Sequence, residues 1–134
     1  MSFAPSLTRT SPVRTGRIAL WAVQIALAGM VLLAGGSKLL GAAPMVTMFD
    51  AIGIGQWFRY VTGLIEVSSA IALLVPSFAV FGALALAATM IGAIATHLLV
   101  IGGSPAMPAI LLLGSAAVIW ARRNQLLGDQ ETVR

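Results

Sequence analysis

Cysteine is absent from the 134 residues. That excludes disulfides, thiolate metal sites and dithiol redox chemistry by this chain alone. Charge is scarce as well: Asp, Glu, Lys and Arg make up 9% of the chain, where a soluble domain carries roughly a quarter. So little polar surface cannot wet a globule, and lipid must be the solvent for much of it. Acids are scarcest, with four Asp and Glu against eight Lys and Arg. The resulting net charge of +4 does not point to nucleic acid. The basic residues lie at the ends of apolar runs and form neither a stripe nor a block, a placement that membrane topology demands. The single histidine rules out a bis-histidine haem. No carboxylate pair suits a di-metal site, and Gly53-Ile54-Gly55 lacks the strand-to-helix setting of a dinucleotide loop. The sequence therefore offers no catalytic residue, no metal ligand set and no intrinsic cofactor.

What is present is apolar: 59% of the residues are hydrophobic and the mean hydropathy is +0.99. One domain is expected at this length. The pattern predicts an all-α integral membrane four-helix bundle over residues 18–121, between polar tails at 1–17 and 122–134. The first tail, with Arg9, Arg14, Arg17, Pro5 and Pro12, reads as disordered or surface-lying. The predicted spans are 18–40, 58–75, 78–101 and 105–121. At about 1.5 Å per residue each approaches the ~30 Å hydrocarbon thickness. The first run is longer than the roughly 7–15 residues of a signal-peptide core, which favours an uncleaved helix. Its small residues Ala22, Ala26, Gly29 and Gly36, with Leu33, share a face where a neighbouring helix is expected to approach closely. Gly35 and Gly36 are expected to loosen its last turn.

Residues 41–57 form the longest connection. Pro44 can open a short helix, with Met45, Met48, Phe49 and Ile52 on one side and Gly53 and Gly55 to end it. This suits an interfacial helix or a lid over the bundle; a linker wrapped on the bundle's end is the plainer alternative. Pro76-Ser77 is so short a turn that the helices on either side must be antiparallel neighbours. Pro105 and Pro108 fall where the first turn of a helix tolerates proline.

Charge sets the expected orientation. Arg9, Arg14 and Arg17 precede the first span, and Arg122, Arg123 and Arg134 follow the last. An even number of spans puts both termini on one side, the cytoplasmic side of a bacterial-type inner membrane. Trp21 and Trp120 mark that interface, and Trp57 and Tyr60 the outer one.

Four ionisable residues lie in or beside the spans: Lys38, Arg59, Glu66 and His97. Glu66 sits roughly 12 Å into its span, where an acid is costly unless it faces protein or water with a partner. Arg59, Thr62 and Glu66 share one helix face, and His97 shares another with Met90 and Ala93. All four ionisable groups belong to the outer half of the bundle, so they are candidate ligand-binding residues. The competing reading is structural: Glu66 fixes helix register, while Lys38 and Arg59 snorkel to the interface.

The segments AGGSKLLG and PMVTMFDAIGI, then YVTGLIEVSSAIALLVP and ATHLLV, resemble the DoxX family's G-x-x-K-L segment and its F…G…GxxE…LL core. The likeness covers residues 17–123. It implies a four-helix membrane bundle, and by residue it carries over Lys38, Glu66 and His97. Members of the family include subunits of membrane oxidoreductases that pass electrons to quinone, such as thiosulfate:quinone oxidoreductase, and companions of detoxification enzymes. The resemblance thus implies a quinone-linked oxidoreductase subunit, with a separate redox protein as partner. Whether the chain is itself an enzyme stays open. Two alternatives also stand: a non-enzymatic membrane anchor or assembly subunit, and a small transporter that would require a homo-oligomer.

The topology is testable with reporter fusions after Gly41 and after Arg123. A periplasmic reporter is expected to be active at the first and silent at the second; activity at Arg123 would sink the arrangement.

Overall fold

The computed structural model describes residues 12–127. It contains five α-helices: α1 Pro12–Leu39, α2 Ala43–Ile52, α3 Trp57–Leu74, α4 Ala79–Thr96 and α5 Ala106–Ala121. A π turn, His97–Ile101, continues α4, and a 3-10 turn, Arg123–Gln125, follows α5. No strand occurs among the described residues. Helix begins earlier than the polarity of the first segment suggested. Pro12 occupies the first position of α1, where its missing N–H costs nothing, and arginine is a good helix former. Residues 12–17 therefore belong to α1 rather than to a tail. The rest of both expected tails, residues 1–11 and 128–134, lies outside the described residues.

The four longer helices close a ring: α1 packs on α3, α3 on α4, α4 on α5, and α5 returns to α1. Neighbours run antiparallel. Near one end of the α1–α3 pair Gln24 bonds Leu73, and near the other Lys38 bonds Glu66. Three helical segments are long and apolar enough to cross a membrane: Arg14–Leu39, Trp57–Leu74 and Ala79–Ile101. At 16 residues α5 is shorter, roughly 24 Å. The expected four-helix bundle with a short helix between its first two spans is thus an all-helical arrangement of five helices, three of whose segments are long and apolar enough to cross a membrane.

Only a thin core is shielded by protein. Leu27, Val31, Leu73, Ala83, Leu86 and Val118 are buried within it, while Leu33, Leu99 and Leu113 are 77%, 82% and 71% exposed. Such an outer surface requires an apolar solvent.

The face of α1 that packs inward is not the small-residue face. Gln24, Leu27, Ala28, Val31 and Gly35 are buried, whereas Ala22, Ala26, Gly29 and Leu33 face outward. Lipid and protein interior are equally apolar, so small size alone does not say which side of a helix meets its neighbour. Gly35 does not loosen α1, which stays helical to Leu39. Instead it faces Gly63 of α3: a Cβ on Gly35 would lie 3.0 Å from the Gly63 carbonyl oxygen, and one on Gly63 would lie 3.0 Å from Lys38 Cβ. The two backbones meet because neither glycine carries a side chain.

The short helix expected after Pro44 is α2. Phe49 anchors it, 4% exposed, with its ring 5.8 Å from that of Phe58. Gly53, at φ 85°, closes it in the left-handed conformation, its N–H donating to Phe49 O, which glycine adopts without strain.

Gly63→Ala is expected to push α1 from α3 and destabilise the protein by about 1–3 kcal/mol, the usual cost of overpacking. Gly29→Ala, with nothing within 4 Å of its Cβ, should change stability by less than about 0.5 kcal/mol. Thermal unfolding in detergent micelles checks both; equal effects would contradict the Gly35–Gly63 contact.

Candidate functional site

One stripe of α3 carries Arg59, Gly63, Glu66, Ser69 and Leu73, all buried. The steps of three and four residues place them on one side of the helix, and that side faces α1. Since Gly35 and Gly63 let the backbones meet, Lys38 reaches Glu66 directly. Lys38 Nζ donates to Glu66 Oε2 at 2.9 Å, with the side chains 14% and 4% exposed. This is the one ion pair among the described residues. Burial of either charge alone would be strongly unfavourable, so the two are interdependent.

Arg59 bonds to the end of α1 rather than to Glu66. Its Nη1 donates to the Lys38 carbonyl oxygen, a helix-end acceptor whose other bond is a long one from Gly41 N–H at 3.3 Å. A cation there also complements the helix dipole. Nε donates to Gln56 Oε1 at 2.6 Å, and the guanidinium lies 4.3 Å from the Tyr60 ring centre. Gln56 in turn donates to Val46 O at 3.0 Å and to Asp50 Oδ1 at 2.6 Å, both on α2. Arg59 and Gln56 thus bind the ends of α1, α2 and α3 together.

Beneath α2 lies a cavity of about 640 Å³. Lys38, Glu66 and His97 line it; Arg59 does not. Met45, Met48, Phe49 and Ile52 of α2 contribute to its wall, so the one-sided pattern read in the sequence is the side turned to the cavity. Thr62, Met90 and Ala93 also lie on it. The three ionisable side chains therefore share one apolar enclosure, reached from α1, α3 and the end of α4.

His97 opens the π turn, a feature that often accompanies functional positions. Its Nδ1 lies 2.8 Å from Ala93 O. A carbonyl oxygen can only accept, so Nδ1 carries the hydrogen. In the neutral ring, Nε2 is then free to accept; in the protonated ring it donates. Among the described residues no group of His, Asp and Glu is arranged to hold a metal.

Sequence reasoning missed Gln24. It is fully buried; its Nε2 donates to Leu73 O at 2.6 Å and its Oε1 accepts from Arg122 Nε at 2.7 Å. The signal was available, since Gln24 is the lone amide in an otherwise apolar run. Such groups are expected to bond across helices in lipid.

The match to the DoxX-like family extends over residues 22–119, most of the chain, and takes in Gln24, Lys38, Arg59, Glu66 and His97. The protein belongs to the DoxX-like family. Together with its apolar helices this makes it a multi-pass membrane protein in contact with lipid. No curated protein matches the chain, and no solved structure does so either.

Glu66→Ala leaves Lys38 enclosed without its counter-charge and is expected to destabilise by about 3–5 kcal/mol. The paired change Lys38→Met/Glu66→Leu removes both charges and should recover most of that loss. Chemical unfolding in micelles of the native protein, the singles Lys38→Met and Glu66→Leu and the double variant, with Glu66→Ala beside them, distinguishes a coupled pair from two independent side chains; additive effects would rule coupling out.

Proposed function

We propose that the protein is a membrane subunit of a quinone-linked oxidoreductase system, and that the cavity beneath α2 receives the quinone ring. The observation that carries this reading is the confinement of Lys38, Glu66 and His97 to one cavity with otherwise largely apolar walls. About 640 Å³ lies within the usual range for small-molecule sites. The donor set fits: a quinone ring offers two carbonyl acceptors at its edge and two apolar faces. Lys38 Nζ, with hydrogens beyond the one given to Glu66, can donate to one carbonyl oxygen. Protonated His97 can donate to the other from Nε2. Glu66 holds the ammonium in place and can exchange a proton through Oε1. The methionines and Phe49 of α2 exclude water from the ring faces. A bound quinone would supply the two-electron, two-proton chemistry; a partner protein would deliver or take the electrons. Arg59 acts at one remove, by fixing the carbonyl end of α1 and hence the Lys38 backbone.

In this reading α5 is the fourth crossing, which puts both termini on the cytoplasmic side of a bacterial-type inner membrane and the cavity in the outer half. A second reading has one observation in its favour. The Lys38–Glu66 pair sits where α1 and α3 approach most closely, so it can act as a register staple in a non-enzymatic anchor or assembly subunit.

The deciding experiment is isolation of the chain from its native membrane in mild detergent, with mass spectrometry of bound lipids and proteins. Titration of the purified protein with decylubiquinone, read by tryptophan fluorescence, follows. Bound quinone and saturable quenching are expected. Lys38→Met should weaken binding about tenfold or more, the loss of one charged hydrogen bond. Protein partners without quinone, and a titration that never saturates, would favour the anchor; a symmetric homo-oligomer without either would favour a transporter.

A further inference from the structure

The opposite end of the helix ring carries a second cavity, of about 530 Å³. Arg17, Leu20 and Trp21 of α1, Pro76 of the α3–α4 turn and Arg122 at the end of α5 line it. Its chemistry is the reverse of the first. Two guanidinium groups face one space, and no carboxylate among the described residues lies near: Asp50 and Glu66 both belong to the other end. The like charges act on each other. Partial burial, and then the neighbouring charge of Arg17, lower the pKa of Arg122. Two like charges lining one cavity constitute a site that an anion would relieve.

Arg122 is also held in position. Its Nε bonds Gln24 Oε1 at 2.7 Å, Gln24 is itself fixed by Leu73 O, and the guanidinium lies 5.5 Å from the Trp21 ring centre. With Nε engaged, the Nη atoms remain for a ligand. The floor is apolar, through Leu20, Trp21 and Pro76, and the site lies where the apolar helices give way to the arginine-rich end. A fixed cation, a second cation across a gap and an apolar floor at a bilayer interface match an anionic phospholipid, with its phosphate between the guanidiniums and its chains along α1 and α5.

We propose that this cavity is a binding site for the phosphate group of an anionic membrane phospholipid, held between Arg17 and Arg122. The proposal is independent of the quinone reading, since the two cavities share no residue.

The test is native mass spectrometry of the full-length protein in micelles, titrated in parallel with phosphatidylglycerol, phosphatidylcholine and inorganic phosphate. Phosphatidylglycerol should be retained in preference to phosphatidylcholine. Arg17→Gln, which leaves the Gln24 bonds intact, should reduce that preference about fivefold, the usual contribution of one basic side chain at an anionic surface. Arg123→Gln should leave it unchanged, since Arg123 packs against Trp120 and does not line the cavity. Equal retention of the two lipids, or a preference insensitive to Arg17→Gln, would overturn the proposal. So would inorganic phosphate that displaces the lipid at equal concentration, which would make this a free-phosphate site. Asp129→Asn/Glu131→Gln removes the side-chain carboxylates that follow Arg122 in the sequence; lipid selectivity that emerges only in this variant would mean that the chain's own acids fill the cavity, and would also overturn it.

Discussion

A carboxylate enclosed by apolar helices needs a cation held against it, and in this protein that need dictates how closely α1 approaches α3. Lys38 Nζ lies 2.9 Å from Glu66 Oε2 because the helices touch through Gly35 and Gly63. A side chain at either glycine would hold the helices apart and draw the ammonium back. The ion pair and the glycine contact are therefore one device: the glycines set the distance, and the charges fix the register along it. The cavity depends on both. Its polar wall is the Lys38–Glu66 pair, and its roof, α2, hangs from the same corner through Gln56 and Arg59.

Membrane chains expose some parts of their architecture in sequence and conceal others. Helix ends were legible because prolines and glycines punctuate them: Pro44 and Gly53 bound α2, Pro76 separates α3 from α4, and Pro105 precedes α5. That Glu66 has a partner was legible because an acid in an apolar helix must have one; which of Lys38, Arg59 and His97 supplies it was not. The inward face of α1 was not. In water, polarity distinguishes the two sides of a helix; in lipid, Leu33 facing out and Leu27 facing in are chemically alike. Gln24 could have broken that tie, since an amide is a better guide to the interior than a row of small residues.

The hydrogen-bond partners of Arg59 were hidden for a related reason. Arg59 shares a helix face with Glu66, and opposite charges on one face invite a pairing. The carbonyls at the end of α1 compete for the same guanidinium, and sequence does not reveal which helix ends beside it. The π turn at His97 was equally hidden, since no residue type specifies it; it emerges where α4 reaches the α2 roof and the α5 turn.

The described charges divide unevenly along the helices. At the α2 end, two carboxylates, Asp50 and Glu66, offset two cations, Arg59 and Lys38, in a single hydrogen-bonded chain that runs through Gln56. At the other end stand Arg14, Arg17, Arg122 and Arg123, with no described acid beside them. Among the described residues the charge is thus dipolar along the helix axes, balanced at one pole and cationic at the other. A field across the bilayer exerts a torque on such a body in one direction only. Because the charges at the α2 end balance one another, the net charge of the described residues, and with it the pull of any such field, resides at the arginine end.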